Sequence, residues 1–306
     1  MLGLVTTTED GGLELRELEE PNSSHDELVV EQRALSLNRG ELRALRGAPP
    51  GSLLGWDISG VVVSGAGGEG GPGRGARVIG LADKGGWAQR VAVPARRVVE
   101  IPDALSFPDA AALPVAGLTA LWSLGIHGSL LGCRVLVTGA AGGVGRFAVQ
   151  LASRAGASEV VALVRDSDRG IGLVELGATA VVETVDSQTP FDVILEGIGG
   201  PSIGNRLRAL APDGTVVLFG NASDGGLQLD GDFYRRSRGA RVVTFNVHQQ
   251  YDRRDGRRAL LYLAGEAAGR RLRSEVSTCV DWHDAATALQ MLAERRVRGK
   301  AVLLPC

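Results

Sequence analysis

An apolar run at 134–140 (RVLVTGA) passes through Ala140-Ala141-Gly142-Gly143-Val144-Gly145 straight into a helix-like stretch at 142–156. Along that stretch Val144, Phe147, Ala148, Leu151, Ala152 and Ala155 recur at i, i+3, i+4 spacing, the mark of an amphipathic helix. A strand, a tight glycine turn and a helix in direct succession leave few folds open. The turn reads as a dinucleotide fingerprint with Ala in the first glycine position. Gly142 lets the backbone approach a pyrophosphate, and Gly145 allows close helix–strand packing. The phosphates then meet the unpaired N–H groups and positive dipole of the helix N-terminus. The other reading is a merely structural tight turn.

The same alternation continues downstream. Strand-like runs stand at 159–164, 179–183, 191–197, 215–220 and 240–247, with helices expected near 168–176 and 202–210. Apolar strands alternating with short helices predict a doubly wound parallel sheet of Rossmann type, covered on both faces. The first hundred residues read differently, as short strands at 28–37, 58–65, 76–81 and 87–94 separated by turns. A Gly-rich connector at 64–75 fits no phosphate motif. The last segment predicts two amphipathic helices, 255–268 and 283–295, then a strand, KAVLL. The fold class is α/β: a Rossmann sheet with a second, mostly-β part.

Composition narrows the function classes. A net charge of −2 gives no general attraction to nucleic acid or an anionic membrane surface. Aromatic residues make up only 4% of the chain, too few for a base-stacking platform. Cys133, Cys279 and Cys306 are scattered and odd in number, so no disulfide framework or C-x-x-C metal pair is expected. With no signal-like N-terminus, a cytoplasmic protein is the expectation. The charge-free stretch from Ala110 to Cys133 is long enough to span a bilayer. Pro114, Gly117, Thr119 and His127 within it favour a buried helix followed by a turn.

About twenty residues past a glycine loop, an NAD-binding chain usually carries Asp or Glu for the ribose 2′-hydroxyl. Here Val164 is followed by Arg165, with Arg169 close behind. An arginine fork suits a 2′-phosphate, so the expected cofactor is NADPH; the alternative is a solvated surface arginine. Two decoys share this region. Thr138 opens a T-G-x-x-x-G-x-G pattern of short-chain dehydrogenases, whose catalytic Tyr is followed four residues on by Lys. Tyr234, Tyr251 and Tyr262 have Arg238, Asp255 and Glu266 there, and the only lysines are Lys84 and Lys300. Gly200-Pro201-Ser202-Ile203-Gly204 fits a nucleophile elbow. Ser202 stands several residues beyond its strand, and it reads equally as a helix N-cap.

Several further segments occur in order: SLNRGELRALRG (36–47), LLGWDISGVV (53–62), GGWAQRVAVP (85–94), LPVAGLTAL (113–121), VVLFGNAS (216–223) and RGKAVL (298–303). With VTGAAGGVGRFAVQLA (137–152) they make nearly the whole chain resemble the medium-chain dehydrogenase/reductase superfamily. It is most similar to the zinc-free quinone oxidoreductases, the zeta-crystallin-like branch. The resemblance implies a GroES-like catalytic domain from 1–116 and 249–306, around an NADP-binding Rossmann domain at 117–248. It also implies an active site in the cleft between them, a homodimer and a small-molecule quinone or enone substrate.

Zinc members hold catalytic metal with Cys, His and Cys; aligned by hand, those positions carry Asn38, Trp56 and Val115, with Asp57 where such enzymes have Glu. This matters for chemistry. A catalytic zinc lowers the pKa of bound water from about 15.7 to about 7, roughly 12 kcal/mol at about 1.36 kcal/mol per unit. Losing one oxyanion donor costs only about 3–4 kcal/mol, so neutral donors replace part of a metal's effect. Hydride addition to an enone or quinone yields an already delocalised anion, and conjugate reduction is the expected reaction. By resemblance Thr119, Gly220 and Asn221 flank the nicotinamide and its ribose, and Lys300 reaches the pyrophosphate. Asn38 is the candidate for the substrate carbonyl, or else a satisfied loop amide, and Trp56 shapes an apolar wall. Arg253, Arg254, Arg257 and Arg258 read as a solvated helix face or a landing site for an anionic substrate. A non-catalytic NADPH-binding protein and a zinc-dependent alcohol dehydrogenase are the competing functions.

Overall fold

Short alternating strands build the first half of the chain. The computed structural model describes residues 1–9, 12–65, 71–186, 188–226, 231 and 233–305. The strands are β1 (Leu2–Thr6), β2 (Leu13–Glu17), β3 (Glu27–Leu37), β4 (Asp57–Ser64), β5 (Arg77–Leu81), β6 (Arg90–Pro94) and β7 (Val98–Glu100). Helix α1 (Arg39–Gly47) follows β3, and α2 (Phe107–Ala111) follows β7. The inward residues Leu28, Val30, Ile58, Val62, Val78, Val93 and Val98 form one buried cluster, as period-two alternation requires. Part of the Gly-rich connector, 66–70, lies outside the described residues, as does Cys306.

The charge-free stretch forms three short pieces rather than one helix. After α2 comes a π-helical turn, Leu113–Gly117, and then α3 (Leu118–Gly125). Pro114 has no N–H to give, and the Leu118 N–H is shared between the carbonyls of Pro114 and Val115. No helix among the described residues is long and apolar enough to cross a membrane.

The middle of the chain forms a six-stranded parallel sheet. Its strands are β8 (Arg134–Thr138), β9 (Glu159–Leu163), β10 (Ala180–Val182), β11 (Phe191–Glu196), β12 (Leu210–Leu218) and β13 (Arg241–Thr244). They lie in the order β10-β9-β8-β11-β12-β13, the doubly wound order whose direction reverses between β8 and β11. The connecting helices include α4 (Gly143–Arg154), α5 (Ile203–Arg208) and α6 (Phe233–Arg236). The helix expected at 168–176 is absent. Only a 3₁₀ turn, Ser167–Gly170, forms. Gly172 beyond it has φ +84°, a left-handed conformation that stops a helix.

After β13 come α7 (Val247–Tyr251), α8 (Gly256–Ala268), β14 (Val276–Asp281), α9 (Ala285–Ala293) and β15 (Lys300–Leu304). A 3₁₀ turn, Trp282–Asp284, replaces the start of the second expected helix. The residues gather into two compact units: Met1–Leu118 with Val247–Cys306, and Thr119–Asn246. In the first, β15 inserts beside β3, giving the order β14-β15-β3-β4-β5-β7, with β6 also on β3. Because β15 and β4 both run antiparallel to β3, the starts of those two strands meet the end of β3.

Candidate functional site

In the Thr119–Asn246 unit, chemistry-bearing loops leave the carboxyl ends of the parallel strands. Gly142 is the N-cap of α4 and is itself extended, φ −84° and ψ 176°. Gly142, Gly143 and Val144 are half-buried at this helix start, while Gly145 is buried. A Cβ on Gly145 would stand 2.5 Å from the Ala140 Cα and the Gly139 carbonyl oxygen. Only glycine lets α4 begin this close to β8. The cradle therefore has the backbone shape and helix polarity that suit a pyrophosphate.

Arg165 stands two residues beyond the end of β9, on the same sheet edge. Its side chain is 61% exposed, with Nε 3.0 Å from Asp166 Oδ2; its terminal nitrogens have no partner among the described residues. Asp166 Oδ1 also accepts the Arg169 N–H at 3.2 Å. Gly220 and Asn221, both exposed, follow β12, and the Asn221 amide donates to the Gly225 carbonyl at 2.9 Å. Thr119 is buried on α3.

Sequence reasoning missed the clamp at the switch point. Thr138 Oγ1, at the end of β8, accepts the Gly197 N–H at 2.9 Å. Glu196, fully buried at the end of β11, accepts the N–H groups of Ile198 and Gly199 at 2.7 and 2.8 Å. Arg206 Nε donates to Glu196 Oε2 at 2.6 Å, and the same guanidinium reaches the Gly199 carbonyl at 3.0 Å. The one sequence signal was a carboxylate closing the apolar run FDVILE. This clamp also answers the nucleophile-elbow pattern: Ser202 Oγ accepts from Arg206 at 2.6 Å.

In the Met1–Leu118 and Val247–Cys306 unit, a polar knot sits where β3, β4 and β15 meet. Asn38 Nδ2 donates to Asp57 Oδ2 at 2.8 Å, and Lys300 Nζ donates to Asn38 Oδ1 at 2.7 Å. Lys300 Nζ also reaches the Leu37 carbonyl at 3.1 Å and lies 3.5 Å from Asp57 Oδ2. The Val115 N–H donates to Asp57 Oδ1 at 2.8 Å. The buried Lys300 ammonium is engaged by these three oxygens, where the resemblance had implied the pyrophosphate. Asn38 is held at both ends by charged groups, which leaves one of its two Nδ2 hydrogens uncommitted in this knot.

Glu41, unnoticed in the sequence, completes the knot. Its oxygens accept the backbone N–H groups of Asn38 and Trp56 at 2.7 and 2.9 Å. Complete burial, with the Asp57 charge nearby, pushes its carboxyl up to about 8. The Trp56 ring packs where a Cβ on Gly40 would stand 2.8 Å from its edge, and it meets the His248 ring edge-on at 4.8 Å. Burial lowers the His248 pKa below its ordinary value, opposed by Asp83 and Asp57 and assisted by Arg97. Arg253, Arg254 and Arg258 are exposed.

Residues 24–103 match the alcohol dehydrogenase GroES-like domain family, and residues 143–256 match the zinc-binding dehydrogenase family. The quinone oxidoreductase of Coxiella burnetii is 25% identical, with a TM-score of 0.85 and 99% of each chain covered. The chain belongs to the medium-chain dehydrogenase/reductase superfamily. The Escherichia coli quinone oxidoreductase complexed with NADPH shares the fold at a TM-score of 0.91, with 22% identity and all of both chains covered. The low-reducing polyketide synthase drtA of Aspergillus calidoustus is 31% identical over 252 residues. That match covers 76% of this chain but only 11% of the synthase.

Zinc, which the name of one matching family implies, does not suit this member's donor set. Asn38, Trp56 and Val115 offer no thiolate or imidazole, and the Asp57 oxygens already accept Val115 and Asn38 and face Lys300. Among the described residues no group of three or more His, Cys, Asp or Glu is arranged to hold a metal ion.

Proposed function

We propose that this medium-chain dehydrogenase/reductase member is an NADPH-dependent reductase of quinones or α,β-unsaturated carbonyls that works without zinc. The observation that carries the reading is the Gly142–Gly145 cradle at the start of α4, with the exposed Arg165 fork on the same sheet edge. Backbone N–H groups of the cradle hold the pyrophosphate. Arg165, with Arg169 beside it, pairs the 2′-phosphate. Gly220 and Asn221 flank the nicotinamide end on a loop edge that the Glu196–Arg206 pair keeps in shape, and Thr119, on α3, flanks it as well.

When bound, NADPH supplies a hydride. The Asn38 amide retains a second Nδ2 hydrogen beyond the one given to Asp57, and it serves the substrate oxygen. Trp56 presents the apolar wall. The hand alignment that puts Asn38, Trp56 and Asp57 at the metal-binding positions supports both roles. With neutral donors in place of a metal, the substrates are those whose product anion is delocalised.

Steady oxidation of NADPH across a panel of quinones and enones tests this function. Binding of NADPH without turnover of any panel member would replace it with a non-catalytic role. The match to a polyketide synthase supports a narrower form, reduction of an enoyl thioester. Faster turnover of a crotonyl thioester than of simple quinones would select that form. Sedimentation of the pure protein tests the homodimer that goes with this reading.

A further inference from the structure

If one nucleotide is to lie on both the Gly142–Gly145 cradle and the 165–172 loop after β9, the two must be held together. Arg146 joins them. Its backbone N–H donates to the Gly142 carbonyl at 3.0 Å, closing the first turn of α4. Its side chain is buried, and Nη2 donates to the Ile171 carbonyl at 2.8 Å. Arginine is seldom buried unless it is bonded in this way. The contact follows from the helix that does not form. In a helix through this segment the Ile171 carbonyl would accept the N–H of residue 175. Gly172, at φ +84°, turns the chain away just past the 3₁₀ turn Ser167–Gly170, and Arg146 supplies the donor instead.

The other end of the loop is linked to the arginine fork. Asp166 caps the turn by accepting the Arg169 N–H at 3.2 Å, and its second oxygen lies 3.0 Å from Arg165 Nε. The Ser167 N–H donates to Glu183 at 2.7 Å. Arg146, the Ile171 carbonyl, the turn, Asp166 and Arg165 thus form one connected series. Resting on the NADPH reading above, we propose that Arg146 is a positioning residue for cofactor choice: it ties the 165–172 loop to the pyrophosphate helix and so sets where the Arg165 fork stands. A loop already held in its binding geometry loses less freedom when the ligand arrives. The tie therefore favours the nucleotide that carries a 2′-phosphate. NADH has none and gains nothing from the fork.

The test is a double-mutant cycle on nucleotide affinity, read by fluorescence titration with NADPH and with NADH, so it needs no turnover. Arg146→Gln is too short to reach Ile171. It should weaken NADPH about 10-fold, within the range for coupled neighbours, and leave NADH unchanged. Arg146→Gln with Arg165→Ala should bind NADPH no more weakly than Arg165→Ala alone. Arg146→Lys, which keeps the charge and much of the reach, should recover part of the loss. Gly172→Ala strains the left-handed turn and leaves the buried charge in place. It too should weaken NADPH and spare NADH, and it decides the matter if Arg146→Gln does not fold. Equal weakening of both nucleotides, or losses that add fully in the double variant, would make Arg146 merely structural and overturn the proposal. So would wild-type NADPH affinity in Arg146→Gln. A wild-type protein that bound neither nucleotide would instead remove the NADPH reading itself, and this proposal with it.

Discussion

Lys300 and Asp57 face each other at 3.5 Å with side chains 3% and 0% exposed, an ion pair sealed inside the first unit. Their attraction offsets a large desolvation cost, and removing one member leaves the other charged and unpaired. Lys300→Met should therefore lower unfolding free energy by about 3–5 kcal/mol, read from urea melts. Lys300→Met with Asp57→Asn should recover part of that loss. NADPH affinity of whatever remains folded should be unaffected, since the ammonium holds Asn38 rather than phosphate.

Glu41 makes stability depend on pH. Its pKa is 4.5 in an exposed setting and about 8 here, so folding takes up a proton between those values. The contribution is full below pH 4.5, shrinks as pH rises and is gone above about 8. Melts from pH 5 to 9 should show this slope in the wild type and not in Glu41→Gln. That variant should also lose about 1–3 kcal/mol, because its amide nitrogen would face a backbone N–H.

Gly145→Ala should disturb cofactor binding and fold together. The new methyl would need to enter space 2.5 Å from Ala140 Cα, forcing α4 away from β8 at a cost of about 1–3 kcal/mol. Thermal melting and NADPH titration should both register it.

Arg165→Ala separates the two nicotinamide cofactors. Loss of a charge-assisted hydrogen bond of about 1.5–3 kcal/mol should weaken NADPH roughly 10- to 100-fold and leave NADH unchanged. Fluorescence titration with both cofactors measures it; equal weakening of the two would remove Arg165 from the 2′-phosphate.

The parallel sheet was legible because its strands are buried on both faces and read as unbroken apolar runs, VLVT and VILE among them. The helix predicted at 168–176 failed because apolar spacing says nothing of the left-handed turn at Gly172. The polar knot was hidden for a different reason. Asn38 and Asp57 are 19 residues apart, and Asn38 and Lys300 are 262 apart. They meet only through the antiparallel registers of β3, β4 and β15. A lysine at the head of KAVLL looks like any solvent-facing strand end until Leu37 is placed opposite Ala301.

The two units are made in different ways as the chain is synthesised. Residues 119–246 are contiguous, so every strand of that unit's sheet has been made before residues 247–306 follow. The other waits for β15, the strand that carries the counter-charge of Asp57. Until residue 300 emerges, Asp57 lacks the ammonium that balances it in the finished unit, so the first unit completes its core last.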